Sequence, residues 1–236
     1  MLFRSKIRQA LWYAFNQKNF LQAAIGNPDY YKECKAMFVC GTVLASEKGM
    51  DGLLESNFDK ARDMLKEAGY DGTPVVLMRA TDVAVLTNLA PVAKSLMERA
   101  GFKVDMQSMD AQTMIARFNR KDPPITGGWN AMVASWASVD ARDPVVAGLL
   151  NARCDKARPG WPCDQELEIL RDRYARETNP AKQKQIAEAV QVRAIEVTTH
   201  VILGQWFTAV AVRKNVVGMP IAPVPVFWNV EKTAGF

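Results

Sequence analysis

Histidines and catalytic motifs are scarce in this chain of 236 residues. The one histidine, His200, lies in an apolar stretch, where a histidine is more often a core or edge residue than a base or a metal ligand. The dinucleotide-binding pattern GxGxxG, the phosphate-binding P-loop and the zinc-protease pattern HExxH are all absent. These absences argue against an enzyme, and we predict no catalytic residue, no metal ligand and no cofactor.

Long apolar runs are also absent. No run approaches the roughly 18 residues that a transmembrane helix needs, and the first residues lack the pattern of a secretory signal. The net charge of +5 comes from basic residues scattered along the chain, which gives little support to nucleic-acid binding. A composition of 49% hydrophobic and 23% charged residues is typical of a globular protein.

Four cysteines fall in two close pairs, Cys34 with Cys40 and Cys154 with Cys163. Their even number, local pairing and loop-like surroundings predict two disulfides, and hence an oxidising compartment. A zinc site made of all four cysteines is an alternative, but neither pair has the usual spacing of zinc ligands. Four unpaired buried thiols are a second alternative.

The middle of the chain predicts a strand–helix–strand crossover and therefore a partly parallel sheet. Residues 73–79 (TPVVLMR) and 102–108 (FKVDMQS) favour strands, and apolar residues at helical spacing lie between them. Residues 6–20 predict one amphipathic helix, and residues 25–52 a long loop that the first cysteine pair would clamp. The fold class predicted from these elements is α/β.

The residues at 127–144 (GGWNAMVASWASVDARDP) carry most of the functional argument. They predict a buried strand flanked by Trp129 and Trp136, with Asp140 in the loop that follows. Asp143 and Pro144 then predict a helix start that runs to about residue 150. Open α/β sheets place ligands where a strand leads into a polar loop and a helix.

Four residues are candidate ligand contacts. Asp140 would offer a carboxylate to an ammonium group, and Trp136 would exclude water beside it. Trp129 and Trp206 are further candidates, the latter next to a polar amide at Gln205. Each has a plainer interpretation, since tryptophans beside strands usually pack in the core and an aspartate often serves only a turn.

Five segments, in the right order, give the chain a resemblance to a known family. They are residues 6–16 (KIRQALWYAFN), 59–70 (DKARDMLKEAGY), 89–106 (ending ERAGFKVDM), 136–144 (WASVDARDP) and 202–228 (beginning ILGQWFTAVAV). Together they resemble the family 5 extracellular solute-binding proteins of ABC transporters, the dipeptide- and oligopeptide-binding group. The resemblance covers nearly the whole chain.

The resemblance implies a lobe of the type II periplasmic-binding-protein kind, with a mixed sheet flanked by helices and the N-terminal lobe missing. Residues 1–205 would form the C-terminal lobe, and residues 206–236 would return toward the missing lobe. The implied function is capture of a peptide or similar small solute by hinge closure, with delivery to ABC permease subunits. The implied protein is periplasmic and monomeric, and Asp140 matches the position that holds a peptide's α-amino group.

Three alternatives remain open from the residues alone. The first is an enzyme, such as a hydrolase, on a doubly wound α/β domain. The second is a metal-chelate receptor of the same family. The third is an interaction module that binds no small molecule.

Overall fold

The computed structural model describes residues 5–233, in which helices and strands alternate along the chain. The helices are α1 (Ser5–Ala14), α2 (Gln17–Ala24), α3 (Phe58–Glu67), α4 (Ala84–Thr87), α5 (Leu89–Arg99), α6 (Ala111–Phe118), α7 (Gln165–Arg176) and α8 (Pro180–Val197). The strands are β1 (Tyr31–Lys32), β2 (Val75–Ala80), β3 (Val104–Met109), β4 (Ala131–Met132), β5 (Gln205–Trp206), β6 (Val216–Val217) and β7 (Glu231–Lys232). The predicted α/β class is confirmed.

A parallel sheet with the strand order β3-β2-β4 lies at the centre. β2 pairs in parallel with β3 along its whole length and with β4 at Leu77 and Met78. Because parallel neighbours need a crossover connection, α5 lies between β2 and β3 in the chain, and α6 between β3 and β4. The β1–β5 and β6–β7 ribbons are antiparallel, so the strands pair in both senses, as predicted.

Helices cover both faces of β2, which is why this strand is buried along nearly its whole length. Leu77 packs in the large core, to which α1, α3, α5, α7 and α8 all contribute. Met78 points to the opposite face, into a smaller cluster with Met114 of α6. The largest fully buried apolar side chains are Trp12, Phe20, Phe38, Met50, Leu77, Met78, Leu96, Met97, Leu150 and Leu167.

The single helix predicted for residues 6–20 is in fact two helices, α1 and α2. Asn16 lies between them with an extended backbone, and its side-chain oxygen accepts a hydrogen bond from the Asn19 N–H. This is an N-cap, which starts a new helix and interrupts the hydrogen-bond ladder of the old one. Asn16 also forms an isolated bridge with Glu55.

The long segment between α2 and α3 is clamped at several points. Cys34 and Cys40 form a disulfide with their Cα atoms 5.8 Å apart, as predicted. The buried Gln17 side chain donates to the Cys34 carbonyl at 2.8 Å, and the buried Gln191 of α8 holds the same segment by three hydrogen bonds. The polar clamps were not predicted, because sequence spacing does not show which glutamines are buried.

The segment after β5 is mostly exposed. Its large apolar side chains include Phe207, Ile221, Phe227 and Trp228, all of which face solvent. Within the apolar stretch at residues 200–212, only the two residues of β5 form a strand. Across residues 5–233, no helix combines the length and the apolar character needed to cross a membrane.

Candidate functional site

A turn after β4 exposes two of the residues predicted to bind a ligand, Trp136 and Asp140. Val133 is buried, and the chain then passes through Trp136 into a 3₁₀-helix at Ser138–Ala141 that contains Asp140. We refer to residues 133–144 as the corner. The strand before it is shorter than predicted, since only Ala131–Met132 pairs with β2.

The Asp140 carboxylate is exposed and free to bind. The backbone N–H of Asp140 donates to the Ala137 carbonyl at 2.9 Å, which fixes the turn. In the part of the chain that the structure describes, no hydrogen bond or ion pair engages the Asp140 side chain, whereas the nearby Arg142 is paired with Asp143 at 3.2 Å. A carboxylate in this state can accept hydrogen bonds from an ammonium group.

The prediction of a helix that starts at Asp143 and Pro144 and runs to about residue 150 is wrong. Asp143 Oδ1 does accept hydrogen bonds from two of the following N–H groups, at 2.8 and 3.0 Å, which is N-cap chemistry. One helical turn follows, closed by the Ala147 N–H on the Asp143 carbonyl at 3.0 Å. Ala147 then adopts ψ 89°, and a 3₁₀-helix follows at Gly148–Leu150. Ala147 and Leu150 are buried in the core, so packing favours this path over a longer helix.

One face of Trp136 is covered by an arginine that was not predicted to belong to the site. The guanidinium carbon of Arg158 lies 4.3 Å from the centroid of the Trp136 ring, and 39% of the tryptophan remains exposed. A cation over an indole at such a site contributes about 0.5–1 kcal/mol. Nothing in the sequence marks which residue of the second cysteine loop would reach this ring.

Trp129 is half-buried and lies between the core and the second cysteine loop. Its Nε1–H donates to the Phe118 carbonyl at 3.1 Å, and the two rings have centroids 5.5 Å apart. A Cβ placed on Gly160 would lie 3.8 Å from the indole. These contacts account for Trp129 structurally, and its ligand role stays a prediction.

The second cysteine loop is closed by the predicted disulfide. Cys154 and Cys163 are bonded with their Cα atoms 4.1 Å apart, and the Cys154 N–H donates to the Pro162 carbonyl at 3.0 Å. Both cysteine pairs are therefore oxidised, which excludes the four-cysteine zinc site and the free thiols. Among residues 5–233 there is no group of three or more histidine, cysteine or acidic side chains that could hold a metal ion.

A buried ion pair on α7 supports the corner from behind. Arg171 donates to the Pro144 carbonyl at 2.9 Å and to Glu168 at 2.6 Å, and Glu168 also accepts from the Ala152 N–H at 2.6 Å. Burial opposes ionisation of Glu168, but the Ala152 N–H and the guanidinium groups of Arg153 and Arg171 outweigh it and lower the pKa of the carboxyl. The pair thus holds the chain within the turn that follows Asp143, at Pro144, and beyond it, at Ala152.

Trp206 lies on a different sheet from the corner. It is half-buried in β5, opposite Tyr31 of β1. Among the described residues, no hydrogen bond or ring contact joins Trp206 to Trp129, Trp136 or Asp140. The structure thus brings Trp129 and Trp136 to one cysteine loop, and the ligand role of Trp206 stays a prediction.

His200 is half-buried and hydrogen-bonded to its neighbour. Its Nδ1 lies 3.0 Å from Thr199 Oγ1. Burial lowers the pKa of the imidazole to about 4, because it disfavours the charged form. The ring is therefore neutral at physiological pH.

Two open depressions lie on the surface of α5. One is lined by Lys94 and Met106 among others, and the second by Asn19 and Val92 among others. Neither includes a residue of the corner. Trp136 and Asp140 of the corner are both exposed on the surface.

Comparison with known proteins gives consistent matches. A family model described as bacterial extracellular solute-binding proteins, family 5 (middle) matches residues 1–152. A curated relative from Sinorhizobium fredii, whose name describes a peptide ABC transporter periplasmic-binding protein, is 28% identical over 229 residues, covering 96% of this chain and 43% of the relative. The chain thus spans less than half the length of that relative.

Solved structures show the same fold. The oligopeptide-binding protein AppA of Bacillus subtilis, in complex with a nonapeptide, matches with a TM-score of 0.74 at 16% identity, over 96% of this chain and 46% of that chain. A dipeptide-binding protein of Pseudoalteromonas sp. SM9913, in complex with Met-Leu, matches with a TM-score of 0.69 at 18% identity, over 98% of this chain and 45% of that chain. These likenesses confirm the predicted α/β lobe of the type II periplasmic-binding-protein kind.

Proposed function

Since this chain belongs to family 5 of the bacterial extracellular solute-binding proteins, we propose that it forms one lobe of a periplasmic receptor for a peptide or similar small solute. The receptor delivers the solute to the permease subunits of an ABC importer and carries out no covalent chemistry. Relatives whose names describe peptide binding support this solute class.

The observation that carries the proposal is the exposed carboxylate of Asp140, which has no partner among the described residues and lies four residues after the exposed Trp136. In water such a group binds an ammonium ion weakly, because an exposed ion pair contributes about 0–1 kcal/mol. A second lobe that closes over the corner would exclude water and strengthen the same contact. Ligand binding would then favour the closed state by its differential affinity for that state.

The exposed segment after β5 supports a two-lobed receptor. We propose the division into a lobe of residues 1–205 and a returning segment of residues 206–236. Ile221, Phe227 and Trp228 are exposed apolar side chains of this segment, and such groups mark contact surfaces when they cluster. In the proposed receptor they pack against the second lobe.

The proposal is tested by Asp140→Asn in the full-length receptor, with Asp63→Asn as the matched control. Asp63 is an exposed aspartate on α3, far from the corner in the chain. The probes are two equimolar libraries of peptides of two to five residues, one with free amino termini and one N-acetylated, and retention is measured by mass spectrometry after gel filtration. Calorimetry then measures the affinity of the peptides that are retained.

We expect the wild type and Asp63→Asn to retain the free peptides and to discriminate against acetylated ones. Asp140→Asn should weaken binding of the free peptides by about 2 kcal/mol, since a charged partner is removed from a desolvated contact. Equal affinities for wild type and Asp140→Asn would remove Asp140 from the site. Failure of the wild type to retain any peptide would overturn the peptide receptor itself.

A further inference from the structure

We propose that Arg158 is a specificity residue that binds a carboxylate of the solute, so that the receptor selects solutes bearing a free acid group. This inference rests on the proposed function and assigns a second charge to the same corner. It starts from the contact between Arg158 and Trp136, which pairs an arginine of the disulfide loop with an exposed tryptophan of the corner.

The guanidinium group of Arg158 is held between two features of the corner region. On one side is the Trp136 ring, 4.3 Å from the guanidinium carbon. On the other is Gly148, where an added Cβ would lie 2.9 Å from Arg158 Nε. The backbone of Gly148 does not adopt the left-handed conformation that favours glycine, so space for the arginine is the reason for a glycine there.

Among the described residues Arg158 has no acidic partner, unlike the other arginines around the corner. Arg171 is paired with Glu168, Arg153 with the same glutamate, and Arg142 with Asp143. Within the described residues, no hydrogen bond or ion pair engages the Arg158 side chain. Stacking on an indole leaves the edge donors of a guanidinium free, and these donors match the two oxygens of a carboxylate.

The loop that carries Arg158 is rigid enough to present it. The Cys154–Cys163 disulfide closes the loop, and Arg153 pairs with Cys163 in an isolated bridge. Inside it, the Trp161 N–H donates to the Arg158 carbonyl at 2.9 Å. Because the loop is already ordered, less conformational entropy is lost when a ligand binds to the arginine.

Two side chains of opposite charge thus belong to this region, namely Asp140, four residues after Trp136, and Arg158, which covers the Trp136 ring. A solute that carries both an ammonium and a carboxylate group can satisfy both. The corner thus favours zwitterionic solutes over esters, amides and simple amines of the same size.

The test uses Arg158→Gln in the full-length receptor, with Lys156→Gln as the control. Lys156 lies in the same disulfide loop and is exposed, so its substitution removes the same charge from the same element. The probes are the peptide library with free carboxyl termini and its C-terminally amidated counterpart, measured by retention and calorimetry. A third variant, Gly148→Ala, keeps the charge but displaces the guanidinium.

We expect the wild type and Lys156→Gln to bind the carboxylate library at least tenfold more tightly than the amidated one. Arg158→Gln should lose this discrimination, and Gly148→Ala should reduce it. Discrimination that survives in Arg158→Gln, or a wild type that binds both libraries equally, would overturn the inference and leave the proposed function standing. A wild type that retains neither library would overturn both.

Discussion

The buried glutamine Gln191 should contribute more to stability than any other polar side chain of α8. Its side chain is fully buried and bonds to three backbone groups of the long loop. It donates to the carbonyls of Ser46 at 2.8 Å and Lys48 at 2.7 Å, and it accepts from the Met37 N–H at 2.9 Å. The substitution Gln191→Met keeps the length and nearly the volume of the side chain but removes all three hydrogen bonds.

The expected loss follows from those three bonds. Each intramolecular hydrogen bond contributes about 1 kcal/mol net, so their removal should lower the free energy of unfolding by about 3 kcal/mol. Any backbone group left buried without a partner would add to this loss. For a chain of this size, the loss corresponds to a decrease of about 6–12 °C in Tm.

The measurement is equilibrium unfolding in urea, followed by tryptophan fluorescence, with Gln185→Met as the matched control. Gln185 lies on the same helix but is exposed, and its substitution should change stability by less than about 0.5 kcal/mol. Hydrogen exchange at the Met37 amide should also accelerate in Gln191→Met. A loss of unfolding free energy below about 1 kcal/mol, or equal effects of the two substitutions, would refute the role of Gln191 in holding the long loop.

Two further predictions concern pH and the exposed segment. Because the pKa of Glu168 is lowered from its ordinary value of 4.5, its contribution to stability is present above that pH and is lost as the pH falls through the lowered value. The difference in Tm between wild type and Glu168→Gln should therefore shrink between pH 6 and pH 3 in thermal unfolding, and a constant difference would contradict this. Chymotrypsin should cut this chain first near Phe207, Phe227 and Trp228, and a full-length receptor should protect these sites. Equal cleavage of this chain and of the full-length receptor would count against the proposal that residues 206–236 pack against the second lobe.

The apolar periodicity of the sequence was sufficient to predict the parallel sheet. It was not sufficient to predict the helix boundaries that polar side chains set. The strands at 73–79 and 102–108 are found at β2 and β3, displaced by one or two residues, because their apolar pattern is that of strands buried between helices. The helix predicted for residues 6–20 is interrupted at Asn16. The side chain of Asn16 caps α2, and its backbone forms a bridge with Glu55. The cap itself is local, but the bridge joins residues that are distant in the chain, and a local pattern does not contain such a pairing.

At the corner, too, the features that depend on neighbouring residues were predicted, and the contacts with distant segments were not. Asp140 was predicted from a short stretch, and the structure exposes it on a turn as that stretch indicates. The Arg158 contact depends on a loop that folds back across the tryptophan, and the Arg171 support depends on α7 packing behind the corner. No pattern of residue spacing predicts either contact, because both join segments that are distant in the chain.

The open geometry of the corner has a consequence for how affinity is divided between the lobes. With water on one side, neither Asp140 nor Arg158 can hold a ligand group strongly, since the attraction between charges is weak at high dielectric. The backbone that carries them is nevertheless held by the turn, the disulfide loop and the α7 ion pair. Closure by a second lobe would therefore change the dielectric around charges that are already in place. For this reason Asp140→Asn should change the affinity of this chain alone far less than that of the full-length receptor, and equal changes in both would show that the corner binds its ligand without closure.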